Sequence, residues 1–561
     1  MQKKVLVLVY LILTTCLFSA VKQTVGVFVN DSASFKGYTL FSPAYWYETY
    51  LINNEGRKIR SWESDHIPGL GGVAYLSDDG YLYRSMYTGQ HPVLNGGGAT
   101  GGIQKFDWDG NMVWNFEYSG DKYLSHHDIE ILPSGNVLMI AWEIKSNTEA
   151  ILAGADISKL HGLSLYPDYV IEVEPVGADS GNIVWQWHAW DHLVQDYDSM
   201  VNNYGKVADH PERIDLNARN VFTSDFIHLN SVKYNKELDQ IILTTPFYNE
   251  VWVIDHSTTT QEAKGHTGGR YGRGGDLLYR WGNPAYYDRG YSYDQKIFGG
   301  HDANWIEPGC PGEGNIIFFN NGSVQSGRPY SSLDEFKPPV DEEGNYIGKQ
   351  PWGPTGLAWT YTAPIPGDFF VPYICGAQRL PNGNTLACKG PSGEFFEVTP
   401  EGDIVWRYID PVTDSGPVWQ GDSVYSNSVF KIRRYAPDYP AFAGRDMAPG
   451  KHVELYPDDS VPGVSELERD EEIQLTLSSY LLRNNVEISY ELGLEGNASI
   501  KIYNAAGQVV RSLVDGPKTQ GCYKVVWDGT DDRGHHLSSG VYFIRFETGK
   551  ASLRERVVLV R

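Results

Sequence analysis

The chain has 561 residues, too many for one small core, with 41% apolar residues, 21% charged residues and a formal charge of −24. That acidity excludes nucleic acid as a partner, because phosphate binding needs a basic face. The 16 Trp, 37 Tyr and 60 Gly favour many short strands joined by turns, an all-β protein.

The chain opens on "MQKKVLVLVYLILTTCLFSA", two lysines before a short apolar run and small residues near Ala20. This reads as a secretory signal peptide over residues 1–20, so the protein is expected to be exported to the periplasm, the cell surface or the medium. No later segment is apolar enough to span a membrane. Four cysteines remain after export, Cys310, Cys375, Cys388 and Cys522. They form neither a disulfide framework nor a CxxC metal spacing. A Cys375–Cys388 bridge across a hairpin and two buried thiols both stay open.

One pattern then recurs: a strand, a polar Gly turn, and a strand ending in Trp. Its clearest copies are "QKFDWDGNMVW" and "FFEVTPEGDIVW", and the tryptophans are Trp62, Trp114, Trp185, Trp281, Trp406 and, in a degenerate copy, Trp359. A hairpin signature such as "HDIEILPSGNVLMI" or "CGAQRLPNGNTLAC" precedes most copies. Two hairpins make a four-stranded antiparallel unit, and six such units read as a six-bladed β-propeller over residues 21–445. "SVFKIRRY" (428–435) and "GYTLF" (37–41) are expected to share a blade and close the ring. A polar, acidic linker follows at 446–474. Residues 475–561 alternate apolar and polar positions in about seven strands, a small immunoglobulin-like β-sandwich. "DGTDDRG" within it reads as an Asp-Gly turn.

Aligned by their turns, three consecutive hairpins begin with His127, His228 and His301, and a fourth with Cys375. The first strand of each blade lines the central channel, so these histidines are expected to meet at one mouth of it. Such a trio suits a metal ion or a division of nucleophile, acid and base roles. His188, His192, His256 and His266 fall in or near loop insertions and read as solvated or structural. "GHTGGRYGRGGD" (265–276) lacks the ending of a P-loop and reads as a folded-back or flexible insertion.

"HHDIEILPSGNVLMIAWE", "FIHLNSVKYNKELDQIILTTPFYNE", "GGHDANWIEPG…NIIFFNNG" and "GAQRLPNGNTL…EFFEVTPEGDIVW" together resemble the PAPS-independent arylsulfate sulfotransferases, secreted six-bladed propellers. The resemblance implies a ping-pong transfer of a sulfuryl group from a phenolic sulfate to a phenol, with no nucleotide, cofactor or metal. His301 would be the nucleophile, and His228 and His127 would be catalytic partners. His126, Asn230 and Arg328 would contact substrate. Relatives carry an arginine where Pro246 stands here; Arg328, Arg270 and Arg273 are the candidates to replace it. "IKIYNAAGQVVRSLVDG" and "LSSGVYFIRF" resemble the immunoglobulin-like repeat of flagellar hook-capping proteins and secretion sorting tails, which implies surface sorting or attachment. A homodimer and surface-sorting machinery are the protein partners this reading allows. The alternatives are a non-catalytic surface propeller that binds glycans or proteins, and a metal-dependent propeller lyase or oxidase.

Overall fold

A computed structural model of the chain describes residues 23–455, apart from 161, 220–223 and 349, and residues 473–560, apart from 478–480, 483–484, 493–495, 505–507, 520 and 549–551. The signal-peptide reading at 1–20 lies outside the described residues. The chain divides into two compact units, residues 1–459 and 460–561. Both are built of β-strands, and no helix among the described residues is long and apolar enough to cross a membrane.

Among the described residues, the first unit holds six antiparallel sheets of four or five strands. The innermost strands are Arg433–Tyr435, Ala74–Leu76, Tyr123–Ile131, Ser231–Asn235, His301–Trp305 and Cys375–Arg379. Strand Arg433–Tyr435 pairs with Tyr38–Phe41, with Thr39 opposite Arg434, so the two segments expected to share a sheet do so. Strand Gly26–Asn30 also pairs with Ile404–Ile409 on the outside of the sixth sheet.

Burial explains the pattern. Second strands are covered on both faces and read as continuous apolar runs: "VLMIAW" and "QIILTT" are buried throughout. Outer strands alternate, as in Met112–Glu117. Six apolar clusters sit between successive sheets, for example Ile140, Val170 and Trp185 against Val232, Ile241 and Trp252. Tyr50 and Ile52 of the first sheet meet Phe395, Trp406 and Tyr408 of the sixth, which closes the series. Each sheet therefore buries its neighbour's face, which none does alone.

The six recurring tryptophans lie on the fourth strand of each sheet, counted from the innermost, and share one further contact. Each indole Nε1–H donates to the turn joining the third and fourth strands of the next sheet. The acceptors are Asp107 O for Trp62 (2.9 Å), Ser180 O for Trp114 (2.8 Å), Thr258 Oγ1 for Trp185 (3.1 Å), Pro354 O for Trp281 (2.8 Å), Pro400 O for Trp359 (2.9 Å) and Asn54 O for Trp406 (2.9 Å). The last bond runs from the sixth sheet back to the first.

Cys388 pairs in register with Gly376 rather than Cys375, and both cysteines are buried free thiols. Residues 446–455, expected to open the linker, are held in the first unit: Lys58 N donates to Lys451 O (2.8 Å) and Leu455 N to Val418 O (3.0 Å), while Val453 is buried in the core. In the second unit, a three-stranded and a five-stranded sheet enclose Ile488, Ile500, Ile502, Trp527, Ile544 and Phe546. Its "DGTDDRG" is a turn: Asp531 Oδ1 accepts from Arg533 N (2.9 Å) and His535 N (2.8 Å).

Candidate active site

His127, His228 and His301 come from the third, fourth and fifth sheets and converge. The His127 and His228 rings lie 4.7 Å apart, and Phe430 sits 5.5 Å from His127 and 6.2 Å from His301. Local irregularity in the strands produces this. The ladder of Tyr123–Ile131 breaks between Ser125 and Ile129, and that of His301–Trp305 between His301 and Asn304. His127 (φ 54°) and Asp302 (φ 56°) adopt the left-handed region at these breaks, and His228 (φ 61°) does so just before strand Ser231–Asn235. Such conformations persist only where the surroundings over-determine them, and they cluster at functional sites.

His301 is 5% exposed. Its Nδ1 lies 2.8 Å from Asn321 Oδ1 and 2.9 Å from Gly299 O. Asn321 Nδ2 donates to Val371 O (2.8 Å), which turns Oδ1 towards the histidine. Both neighbours of Nδ1 are acceptors, so Nδ1 carries the hydrogen and Nε2 the lone pair. The Ile374 amide donates a hydrogen bond to that Nε2 at 3.3 Å, which an incoming sulfuryl group would displace. Burial, together with the charges of His228 and Lys431, pushes the imidazole down to about 4 against the pull of its own hydrogen bonds. His301 is therefore neutral at pH 7. Gly299 (φ 67°) supplies the turn that carries its own carbonyl back to Nδ1.

His228 has the opposite character. Burial disfavours its charge, but Asp225, hydrogen-bonded to Nδ1, and Asp168 outweigh burial and raise its pKa. With Nδ1 committed to Asp225, Nε2–H is the donor left for a ligand. The ring stacks on Phe247 at 4.6 Å, and Arg219 covers the same Phe247 at 4.5 Å.

His127 is held well below its usual pKa by burial and by the charges of His228, His126, His301 and Lys431. Its Nδ1 lies 2.7 Å from Nδ1 of His126, which stacks on Trp142 at 3.8 Å. His126 Nε2 is 3.1 Å from Asp168 Oδ1, off the line of a good hydrogen bond. Gly98 (φ 84°) closes over this face: a Cβ there would fall 2.1 Å from the His127 ring.

Beneath the histidines lies a buried charge cluster. Lys431 Nζ donates to Asp128 Oδ2 and Asp302 Oδ1, both at 2.8 Å, and Arg433 adds a bond to Asp302 at 3.1 Å. These aspartates directly follow His127 and His301. Each also accepts an amide from the next sheet, Val232 N and Ala377 N.

The remaining expected site residues fall elsewhere. Asn230 Nδ2 donates to Gly300 O (3.0 Å), so it fastens the backbone before His301 rather than facing the histidines. His126 stands behind His127. Arg328 is bound to Tyr330 O and Ser332 Oγ in its own loop, 5.5 Å from the Phe298 ring. Arg270 bonds Glu237 O and Glu343 O, at the hairpin end of the fourth sheet opposite His228, and Arg273 is exposed in the same insertion. Neither stands in for the arginine missing at Pro246. Arg219, which lies in no repeat, is the arginine the fold brings to His228. Lys431, Asp225, Asp168 and Gly98 were also invisible to the motif reading, although the "GGG" run at 96–98 matches no hairpin turn. A cavity of about 660 Å³ lined by Arg60, Asp79, Trp108 and Arg445 lies at the outer turns of the first two sheets and holds none of these groups.

Residues 72–271 match the arylsulfotransferase (ASST) family model, a span that includes His126, His127, His228 and Asn230 and ends before His301. Residues 484–552 match the FlgD Ig-like domain. No curated protein matches the chain. A protein of unknown function from Bacteroides caccae aligns at 12% identity over 72% of this chain and 99% of its own, with a TM-score of 0.37. The Cps50 (Swd1) β-propeller domain of Myceliophteria thermophila aligns at 9% identity over 70% and 87%, with a TM-score of 0.34. PorZ, a surface component of the type-IX secretion system of Porphyromonas gingivalis, aligns at 10% over 93% and 50%, with a TM-score of 0.27. The chain thus carries an arylsulfotransferase (ASST) domain at residues 72–271 and a FlgD Ig-like domain at residues 484–552.

Proposed function

We propose that the first unit is a six-bladed β-propeller which, after export, acts as an aryl-sulfate sulfotransferase, moving a sulfuryl group between phenols through a sulfated His301 and without PAPS. One observation carries the reading. A neutral His301 with an unprotonated Nε2 stands within electrostatic reach of a His228 whose carboxylate partners favour the imidazolium. That is the pairing a group transfer needs: a lone pair for sulfur and a proton for the leaving oxygen.

In the first half-reaction Nε2 attacks sulfur, the N–S bond forms and the S–O(aryl) bond breaks. The departing phenolate takes the Nε2 proton of His228. Asn321 and the Gly299 carbonyl hold the Nδ1–H of the sulfated ring. In the second half a phenol returns its proton to His228, its oxygen attacks sulfur, and the electron pair goes back to His301 Nε2. His127, as a neutral hydrogen-bond donor, and Arg219, as a cation, would stabilise the sulfuryl oxygens; one preorganised donor of this kind is worth ~3 kcal/mol. Tyr373, half exposed and one residue before Ile374, offers an aromatic face at the approach to His301. The FlgD-like second unit serves sorting or attachment to the surface.

The test is incubation of the purified protein with p-nitrophenyl sulfate, with and without phenol. Nitrophenol release should require phenol, and intact-mass spectrometry without acceptor should find one sulfuryl group, located on His301. His301→Ala should abolish both. Release without phenol indicates a sulfatase, and undiminished transfer by His301→Ala with no mass gain in the parent protein removes the reading.

A further inference from the structure

A second histidine cluster lies away from the channel, between two insertions that the repeat pattern does not explain. After outer strand Ser180–His188, the chain makes the short helical turn Ala189–His192, leaving His192 fully buried. Between Glu250–Asp255 and Tyr279–Trp281 of the fourth sheet runs the other insertion. It holds helix Thr260–Ala263, closed by a Thr259–Glu262 capping box, then His266 and Asp276. The glycine-rich segment 265–276 is folded back: Gly274 N donates to Gly268 O and Gly275 N to Gly265 O, both at 3.0 Å. Gly275 is required at this packing distance, since a Cβ would fall 2.0 Å from Ala263 O and 2.6 Å from His192 Nε2.

His192 Nε2 lies 2.8 Å from Ala263 O. A carbonyl only accepts, so Nε2 carries the hydrogen, and in a neutral imidazole Nδ1 is then a bare lone pair. That lone pair faces Asp276 Oδ1 at 2.9 Å. His266 Nδ1 approaches the same oxygen at 2.8 Å. A lone pair set against a carboxylate oxygen needs a cation between them, either a proton that leaves an imidazolium in the core or a metal ion.

The geometry points to a metal: we infer that His192 Nδ1, His266 Nδ1 and Asp276 Oδ1 form a divalent metal site suited to Zn²⁺. Among the described residues they are the one group of three such donors within 4.8 Å of one another, and the channel histidines are not such a group. Two imidazoles and a carboxylate are zinc ligands, and a ligating histidine commonly gives its other N–H to a backbone carbonyl, as His192 does. Arg213 Nε lies 3.9 Å from Asp276 Oδ2, beyond hydrogen-bond reach, so its charge faces the oxygen that the ion would not use. Each histidine nitrogen needs to part only slightly from Asp276 Oδ1, from 2.8–2.9 Å to about 3.3 Å, for zinc to sit at about 2.0–2.1 Å from both. A cavity of about 320 Å³ lined by Trp190, Asp191, Asn203, Arg213 and His266 leaves room for a water as fourth ligand. The ion would pin the insertion after the third sheet to the insertion within the fourth, a structural staple separate from the channel chemistry.

The experiment uses the full chain, stripped with chelator and titrated with Zn²⁺ against a chromophoric zinc indicator and by calorimetry. We expect one Zn²⁺ per chain and a melting temperature that rises with free zinc, because the ion binds the folded state alone. His266→Ala, a half-exposed position, should weaken zinc at least tenfold, abolish the thermal shift, and leave the metal-free melting temperature and aryl transfer unchanged. Asp276→Asn should weaken zinc likewise, and His301→Ala should bind it as the parent does. The inference is overturned if the parent takes up no stoichiometric zinc, if His266→Ala binds it equally well, or if His301→Ala is the variant that loses it.

Discussion

His301 is a buried imidazole and His228 a partly buried one, yet their surroundings drive them to opposite charge states. Asn321 and Gly299 present only acceptors to Nδ1 of His301 and keep its hydrogen there, while burial and nearby cations outweigh their pull and keep the ring neutral. Asp225 and Asp168 give His228 the compensation His301 lacks. A pH profile follows from the signs. The rate of the first half-reaction should rise as pH passes about 4, where His301 loses its proton. It should then level off and fall where His228 deprotonates, above its ordinary value of about 6.5. Asp225→Asn removes a carboxylate that raises His228, so the basic limb should move to lower pH while the acidic limb stays in place. His228→Gln should lose the basic limb and slow the reaction about 10²–10⁴-fold. Pre-steady-state release of a weakly acidic phenol, a poor leaving group, from its sulfate ester is the measurement. An unchanged basic limb in Asp225→Asn would remove His228 from the role of acid.

At the scale of strands, the outer tryptophans do two jobs, filling the gap between sheets and bonding the next sheet's turn. Trp406 is fully buried and bonds Asn54 O across the first and last sheets, whereas Trp359 is partly exposed where it bonds Pro400 O. Trp406→Phe leaves a buried carbonyl unpaired and should cost about 1–3 kcal/mol for that group, plus a cavity term. Trp359→Phe, with water to replace the bond, should cost well under that. Urea unfolding of the two variants decides it, and equal losses would show that the ring-closing bond contributes nothing of its own. These strands were readable because each copy carries its own local signals: the Gly turn, the alternation and the terminal Trp. Strand Gly26–Asn30 carried none of them. "GVFVN" is five residues long, and its partner, Ile404–Ile409, stands at the far end of the first unit's sequence. Pairing at that separation leaves no local trace.

Across the whole molecule, the repeat register brought His127, His228 and His301 together because equivalent positions in a closed series of sheets must meet. It was silent on Asp225, Arg219 and Asp168, which come from insertions or from second-layer positions outside the repeat. It also gave no sign of Lys431, although that residue joins three sheets at once: its own in the first, Asp128 in the third and Asp302 in the fifth. The side chains of all three are almost wholly excluded from solvent. Removing one partner from such a cluster leaves charges buried without compensation, so Lys431→Met should destabilise the first unit by about 3–5 kcal/mol. Lys431→Met combined with Asp128→Asn and Asp302→Asn removes three of the cluster's charges and should recover part of that loss, since asparagine keeps an acceptor for the Val232 and Ala377 amides while Arg433 is left with its own charge and no Asp302 carboxylate. Lys431 is also among the charges that hold His301 down. Where Lys431→Met is folded enough to assay, the acidic limb of its rate profile should therefore lie above the parent's value of about 4, because the two carboxylates then favour a protonated ring. In the triple variant the limb should return towards the parent's position. Thermal midpoints and half-reaction rates measured on the same samples separate the two effects. If the triple variant melts no higher than Lys431→Met, the cluster is held by shape rather than charge; if both variants keep the parent's limb, Lys431 anchors the sheets without tuning the nucleophile.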